Sequence, residues 1–224
     1  MSNEIELPES VGMSSQRLSR ISTAMQRYID DGTVRGISTM VMRKGKVVHA
    51  EQFGHRDAEA GLEITPDTIF RIYSMTKPIV STALMLLHEA SAFQLEDPVA
   101  KYLPAFAATQ VLGANGKLVP QARPMEIRDL LTHTSGLTYD FMEDTPVGHL
   151  YRDARIMNDA TRSLEEVIDA LAKIPLANQP GSRWHYSVGI DVAARLIEVL
   201  SGRSLGAFLA ERVFGPLGMT DTGF

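Results

Sequence analysis

Apolar side chains recur at helical spacing along most of the chain, and strand-like runs occur only near its start. Leu18, Ile21, Met25, Tyr28 and Ile29 form one face after Ser14 and Ser15, and Gly32 follows as a stop, so the first element is an amphipathic helix suited to pack on a sheet. Ile37 to Met42 and Val47 to Phe53 are β-rich runs joined by Arg43-Lys44-Gly45-Lys46, which reads as a hairpin. Gly54 to Asp67 reads as loop. From Met75 to about Ala90, the residues Ile79, Val80, Ala83, Leu84, Leu86 and Leu87 return at helical spacing, which puts Ser74 at or just before a first turn. Pro78 falls early enough to be tolerated there, because the amide hydrogen it lacks has no partner inside the helix.

The second half continues in the same vein. Leu95-Glu96-Asp97-Pro98 opens a short helix through Tyr102 that Pro104 ends, and a polar excursion follows from Ala107 to Pro124. Ile127 to Leu131 predicts a brief helix stopping at His133-Thr134-Ser135-Gly136. Another loop leads to Ser163-Leu164-Glu165-Glu166, a capping box that starts the helix of Val167, Leu171 and Ala172. Gln179-Pro180-Gly181 breaks the chain ahead of Trp184-His185-Tyr186-Ser187. Two further helices follow, one ending at Gly202 and one running from Ser204 to about Val213, before Gly215-Pro216-Leu217-Gly218. No repeat, low-complexity run or interdomain linker interrupts the pattern. The class is α+β, but with two strands alone the sheet is marginal and its edge open, so further strands are expected from elsewhere.

Composition narrows the function classes. A chain of 224 residues with 44% hydrophobic and 22% charged residues suits one large globular domain or two small ones. A net charge of -5, with basic residues scattered, argues against a nucleic-acid partner. No apolar run reaches membrane-spanning length, and the polar, acidic start from Met1 to Gly12 has no secretory signal, so a cytoplasmic protein with no membrane partner is expected. The absence of cysteine removes disulfides, thiol nucleophiles and cysteine-ligated metals together. His88, His133 and His185 share no ligand spacing with a carboxylate, so neither a metal nor another cofactor is expected. The oligomeric state has no signature.

Ser74-Met75-Thr76-Lys77 places a hydroxyl and an amine on one side of a helical start, where the amine can take the hydroxyl's proton and the helix end favours the developing negative charge. With 16 serines and 6 lysines, chance alone supplies roughly 0.4 such pairs, and a serine cap followed by a solvated lysine is the ordinary reading. Tyr186 beside Trp184 is, taken alone, an ordinary core aromatic pair. Ser135 has His133 where a nucleophile elbow needs glycine, which removes the α/β-hydrolase reading.

Several segments taken together carry more. Ser74-Met75-Thr76-Lys77 after Asp67-Thr68-Ile69-Phe70-Arg71, then Leu95 to Pro104, Leu130 to Leu137, Pro180 to Ser187 and Phe214 to Met219 stand in the order of one family. From about Pro8 onward the chain resembles the serine β-lactamase and penicillin-binding protein superfamily, in its class C-like branch, and is most similar to family VIII carboxylesterases. The resemblance implies a β-lactamase/transpeptidase-like fold: an antiparallel sheet packed by helices plus a helical region. Residues 1–66 would carry the N-terminal helix and hairpin, and 67–224 the helical region with both motifs.

The same resemblance implies that Ser74 is the acyl-accepting nucleophile, that Lys77 assists its deprotonation, and that Tyr186 transfers protons from across the cleft. Desolvation would favour a neutral lysine and a nearby ammonium a phenolate, so that one proton is shared. The Ser74 amide is the first oxyanion donor. Trp184 and Val188 are candidate substrate contacts. Val188 stands where lactamases and peptidases usually carry an asparagine, and it supplies no hydrogen bond, which leaves cleavage of small esters ahead of lactams. The superfamily's later Lys-Thr-Gly or glycine-rich strand motif is not reached by Phe224, so the chain is expected to be the N-terminal part of a longer member, its C-terminal strands missing and its activity impaired. Other readings are a β-lactamase, a D-alanyl carboxypeptidase, an acyltransferase, a chain completed by a partner, and a non-catalytic binding protein or inactive fragment.

Overall fold

The computed structural model describes residues 5–142 and 145–224. The first four residues of the polar start and positions 143–144 of the expected loop lie outside them. The chain divides into two compact units, Met1–Arg71 and Ile72–Phe224, each described by itself.

In the first unit, helix α1 spans Ser15–Asp30 and is capped as its sequence predicts, with the Ser14 hydroxyl accepting from Arg17 N. Strands β1 (Gly36–Arg43) and β2 (Lys46–Asp57) pair antiparallel with Arg43 opposite Lys46. Lys44 and Gly45 both take positive φ, 53° and 74°, the type I′ turn whose twist suits a two-residue hairpin. The expected loop after it is not all loop. Leu62–Glu63 forms β3, which makes β2 the central strand of a three-stranded sheet. The apolar face of α1 packs against β2. Gly54 permits that approach, since a Cβ there would stand 2.3 Å from the Arg35 carbonyl oxygen and 2.9 Å from Ile29 Cδ1. Along β1, Ile37, Thr39 and Val41 are half-buried while Met40 and Met42 are exposed on the opposite face.

The second unit is mainly helical. A 3-10 turn at Tyr73–Met75 runs into α2 (Thr76–Glu89), which buries Val80, Ala83, Leu84 and Leu87 against α6 (Gly189–Ser201). Six of the first nine residues of α6, among them Ile190, Val192, Leu196 and Ile197, are apolar and buried, so it is the axis on which α3 (Ile127–Leu131) and α5 (Leu164–Leu171) also pack. Three expectations change here. Val99–Lys101 is a 3-10 turn rather than a helix, and Pro104 starts a second one, Pro104–Ala108, instead of ending the first. The polar excursion contains a small hairpin, β4 (Val111–Leu112) with β5 (Leu118–Val119). The loop before Ser163 holds a further helix, α4 (Pro146–Asp153), capped by the Thr145 hydroxyl. The predicted capping box is present: Ser163 N donates to Glu166 Oε2 at 2.7 Å, and Glu166 N donates back to Ser163 Oγ at 3.2 Å. The last helical run, α7 (Leu205–Leu209), passes through a π turn, Ala210–Phe214, into α8 (Gly215–Leu217). No helix among the described residues is long and apolar enough to cross a membrane.

Candidate active site

The nucleophile end of the site is built from three consecutive residues of backbone. Tyr73 takes a left-handed φ of 43°, a conformation that costs a non-glycine residue roughly 1–2 kcal/mol. Ser74 follows in the 3-10 turn, and α2 begins at Thr76, so Lys77 sits one turn on and faces the same side. Among the described residues the Ser74 amide donates to no carbonyl outside its own turn.

The opposing wall comes from two loops zipped together. His185 N donates to the His133 carbonyl at 2.7 Å, Gly181 N to Thr134 O at 2.8 Å, Ala177 N to Gly136 O at 2.8 Å and Val188 N to Thr138 O at 3.3 Å. A buried contact of 2.8 Å between Thr138 Oγ1 and His185 Nε2 reinforces the pairing. Behind it, Arg123 donates to both oxygens of the buried Asp129 carboxylate at 2.7 and 2.8 Å, and Thr134 Oγ1 donates to Asp129 Oδ1 at 3.0 Å. That anchor sets where the 133–139 loop leaves α3.

The zipped loops bring Tyr186 to the serine. Its hydroxyl lies 2.6 Å from Ser74 Oγ, and Lys77 Nζ donates to the same oxygen at 3.2 Å. An oxygen–oxygen separation of 2.6 Å belongs to the range of charge-assisted hydrogen bonds. The ammonium also lies 4.7 Å from the centre of the Tyr186 ring and 5.5 Å from that of Tyr139. Burial of the lysine works against its charge, but hydrogen bonding to the oxygens of Tyr186 and Tyr139 outweighs burial and its pKa is raised. Hydrogen bonding to Lys77, then to Ser74, lowers the pKa of Tyr186. Attraction between the amine and the phenol oxygens moves the two pKa values apart, Lys77 up and Tyr186 down.

Around this centre stand residues that sequence reasoning passed over. Tyr139 is buried, 5.2 Å from the Tyr186 ring and stacked on Phe141 at 4.8 Å, and burial raises its pKa. His133, in the left-handed region at φ 55°, lies 4.8 Å from Tyr186, and its Nδ1 accepts from Ser187 N at 3.3 Å. Burial and then the Lys77 charge lower its pKa, which keeps it neutral. The backbone amide at Nδ1 leaves the proton on Nε2. The two candidate substrate contacts part company. Trp184 is 63% exposed and stacks along Tyr186 at 6.4 Å. Val188 is 1% exposed, packed in the core, and is not among the residues lining the cavity beside Lys77. Among the described residues, no group of three or more histidines or carboxylates is placed to hold a metal ion.

The Beta-lactamase family pattern matches residues 21–224. The chain belongs to the Beta-lactamase family. Among members with related sequences, an uncharacterized protein of Mycobacterium tuberculosis is 37% identical over 205 residues, covering 90% of this chain and 50% of the relative. Esterase EstB of Burkholderia gladioli is 34% identical over 209 residues, 92% of this chain and 51% of the esterase. Among solved structures, EstCE1, described as a hydrolase with promiscuous acyltransferase activity, superposes with a TM-score of 0.79 at 32% identity, over 90% of this chain and 51% of that one. This Beta-lactamase family chain thus has the β-lactamase-like fold, with esterases among its relatives, and spans about half the length of the relatives it matches.

Proposed function

We propose that this chain carries the nucleophile and proton-transfer groups of a serine carboxylesterase that cleaves small esters through an acyl-enzyme on Ser74. The observation that carries the reading is Ser74 Oγ held 2.6 Å from Tyr186 and 3.2 Å from Lys77. Tyr186, as phenolate, takes the Ser74 proton while Oγ bonds to the ester carbonyl carbon. The oxyanion faces the Ser74 amide, and the Lys77 ammonium balances the phenolate. Collapse breaks the bond from carbon to the alcohol oxygen, and the Tyr186 proton leaves with that alcohol. Water then attacks the acyl-enzyme and gives a proton to Tyr186, which returns it to Ser74 as the acid departs. An alcohol in place of water gives transesterification, a second reading supported by the description of EstCE1 as a hydrolase with acyltransferase activity. Trp184, exposed beside Tyr186, serves in this reading as a substrate contact. Val188 brings no polar group toward the lactam or peptide reading. A cytoplasmic location and a small-molecule ester as the partner belong to the same proposal.

The test is intact-mass analysis after incubation with a fluorophosphonate, in which Ser74 Oγ bonds to phosphorus and fluoride leaves. One adduct on Ser74, absent in Ser74→Ala and slowed by a factor of about 10²–10⁴ in Tyr186→Phe, is the expected result. No adduct on a folded chain overturns the reading for these 224 residues.

A further inference from the structure

One carboxylate near the serine has no part in the chemistry above. Asp191 stands in the first turn of α6, where its carboxylate is bonded by its own backbone amide and attracted by Lys77. It lines a cavity of about 440 Å³ whose wall also contains Tyr73, Thr76 and Lys77, which flank Ser74 in the chain, together with Tyr139 and Glu198. A group attached to Ser74 Oγ has that cavity beside it. Lys77 is the only cation among the described residues of the wall, and the oxygens of Tyr186 and Tyr139 already attract it. Glu198 is occupied, accepting from Arg195 at 3.0 Å and from Leu205 N at 3.0 Å. Asp191 is left as the wall carboxylate bound by no side chain, with Lys77 the cation that attracts it.

We propose that Asp191 sets the charge preference of the site, rejecting acyl groups that carry a carboxylate and admitting neutral or cationic ones. The inference rests on the acyl-enzyme reading of Ser74. A carboxylate brought into a half-buried cavity already holding one is opposed by like charge, at a dielectric well below that of water. Burial, partly opposed by Lys77, holds the Asp191 pKa above the ordinary carboxylate range. The rejection therefore strengthens as pH rises through that raised value. The other titratable groups facing Asp191 are Lys77 from α2, Tyr139 and Tyr186 from the zipped loops, Glu198 further along α6 and, in the 224-residue chain, the α-carboxylate of Phe224, which Asp191→Asn leaves in place. Arg162 lines a second cavity with Asp191, of about 290 Å³, but donates to the Ala154 and Glu166 carbonyls at 3.0 and 2.8 Å. Ionisation of Tyr186 alters acylation by every ester alike, so it cancels in a ratio of two esters.

The experiment compares 4-nitrophenyl esters of terephthalic acid whose second carboxyl is either methylated or free, reading Ser74 acylation of the 224-residue chain by intact mass. The wild type is expected to favour the methylated ester at pH 8. Asp191→Asn should reduce that preference at pH 8 on the order of tenfold, while Asp191→Glu, which keeps the charge, retains it. A preference unchanged in Asp191→Asn overturns the inference while leaving the acyl-enzyme reading intact. Should that variant fail to fold, equal acylation of the wild type by the two esters at pH 8 overturns it alone. A wild type acylated by neither ester overturns both.

Discussion

Replacing Gly136 with alanine is expected to destabilise the second unit far more than the same change at Gly202, although both glycines are left-handed, at φ +85° and +67°. At Gly202 a Cβ would meet nothing within 4 Å, so the cost is the left-handed backbone alone, roughly 1–2 kcal/mol. At Gly136 a Cβ would stand 2.1 Å from the Asn178 carbonyl oxygen and 3.1 Å from its carbon. Backbone cannot rotate away as a side chain can. Relief requires the two loops to part, which gives up the bonds from Ala177 N at 2.8 Å and Asn178 N at 3.3 Å to the Gly136 carbonyl. At about 1 kcal/mol for each lost bond, the total reaches about 3–4 kcal/mol. Urea unfolding followed by the fluorescence of Trp184, the single tryptophan, reads the second unit directly. Two variants lying within about 0.5 kcal/mol of each other would refute the claim that loop apposition, and not φ alone, demands this glycine.

Two other outcomes follow from the charges. In the proposed mechanism acylation of Ser74 requires Tyr186 without its proton, and hydrogen bonding to Lys77, then to Ser74, lowers that pKa. The rate should therefore rise with pH to a midpoint below about 10, and Lys77→Met should move the midpoint upward, slowing labelling at neutral pH about tenfold per unit moved; a midpoint that stays or falls contradicts the ammonium–phenolate pairing. Burial works to raise the pKa of Asp129, but hydrogen bonds from Arg123, Glu126 N and Thr134 outweigh it and the pKa is lowered. Its contribution is thus present above an unfolded value near 4 and is lost as pH falls toward the folded one. Asp129→Asn should cost about 2–3 kcal/mol at pH 7, tempered by the partly exposed Arg123, and the gap to wild type should close below pH 4 in denaturant titrations.

Much of this molecule is legible where a signal repeats or a cap is local. The faces of α1, α2 and α6 follow apolar spacing, the Ser163 box follows from four residues, and Lys44-Gly45 sets a two-residue turn. The two-residue strands β3, β4 and β5 are too short for any period to register, so pairing rather than pattern makes them. Helix α4 is within reach of a sequence reading, because Thr145-Pro146 is a cap followed by proline at the first helical position. At the site, Ser74, Lys77 and Tyr186 come together in space. Tyr139, His133 and Asp191 carry no local mark, since burial and a neighbour distant in sequence give each its character. The direction in which Lys77 shifts depends also on a second phenol, Tyr139, that a reading of one motif at a time does not see.

Ser74 and Tyr186 are 112 positions apart, and nothing local holds them together. The short bond between them exists only once the 133–139 loop has zipped onto 177–188 and α6 has docked on α2. A contact so distant in the chain forms late and breaks with the tertiary structure, not before it. If Ser74 is acylated as proposed, its reactivity is a clock for the whole second unit: in a refolding mixture, the rate at which it becomes acylatable would time the arrival of native topology, in a chain whose helices could all be formed while the serine is still inert.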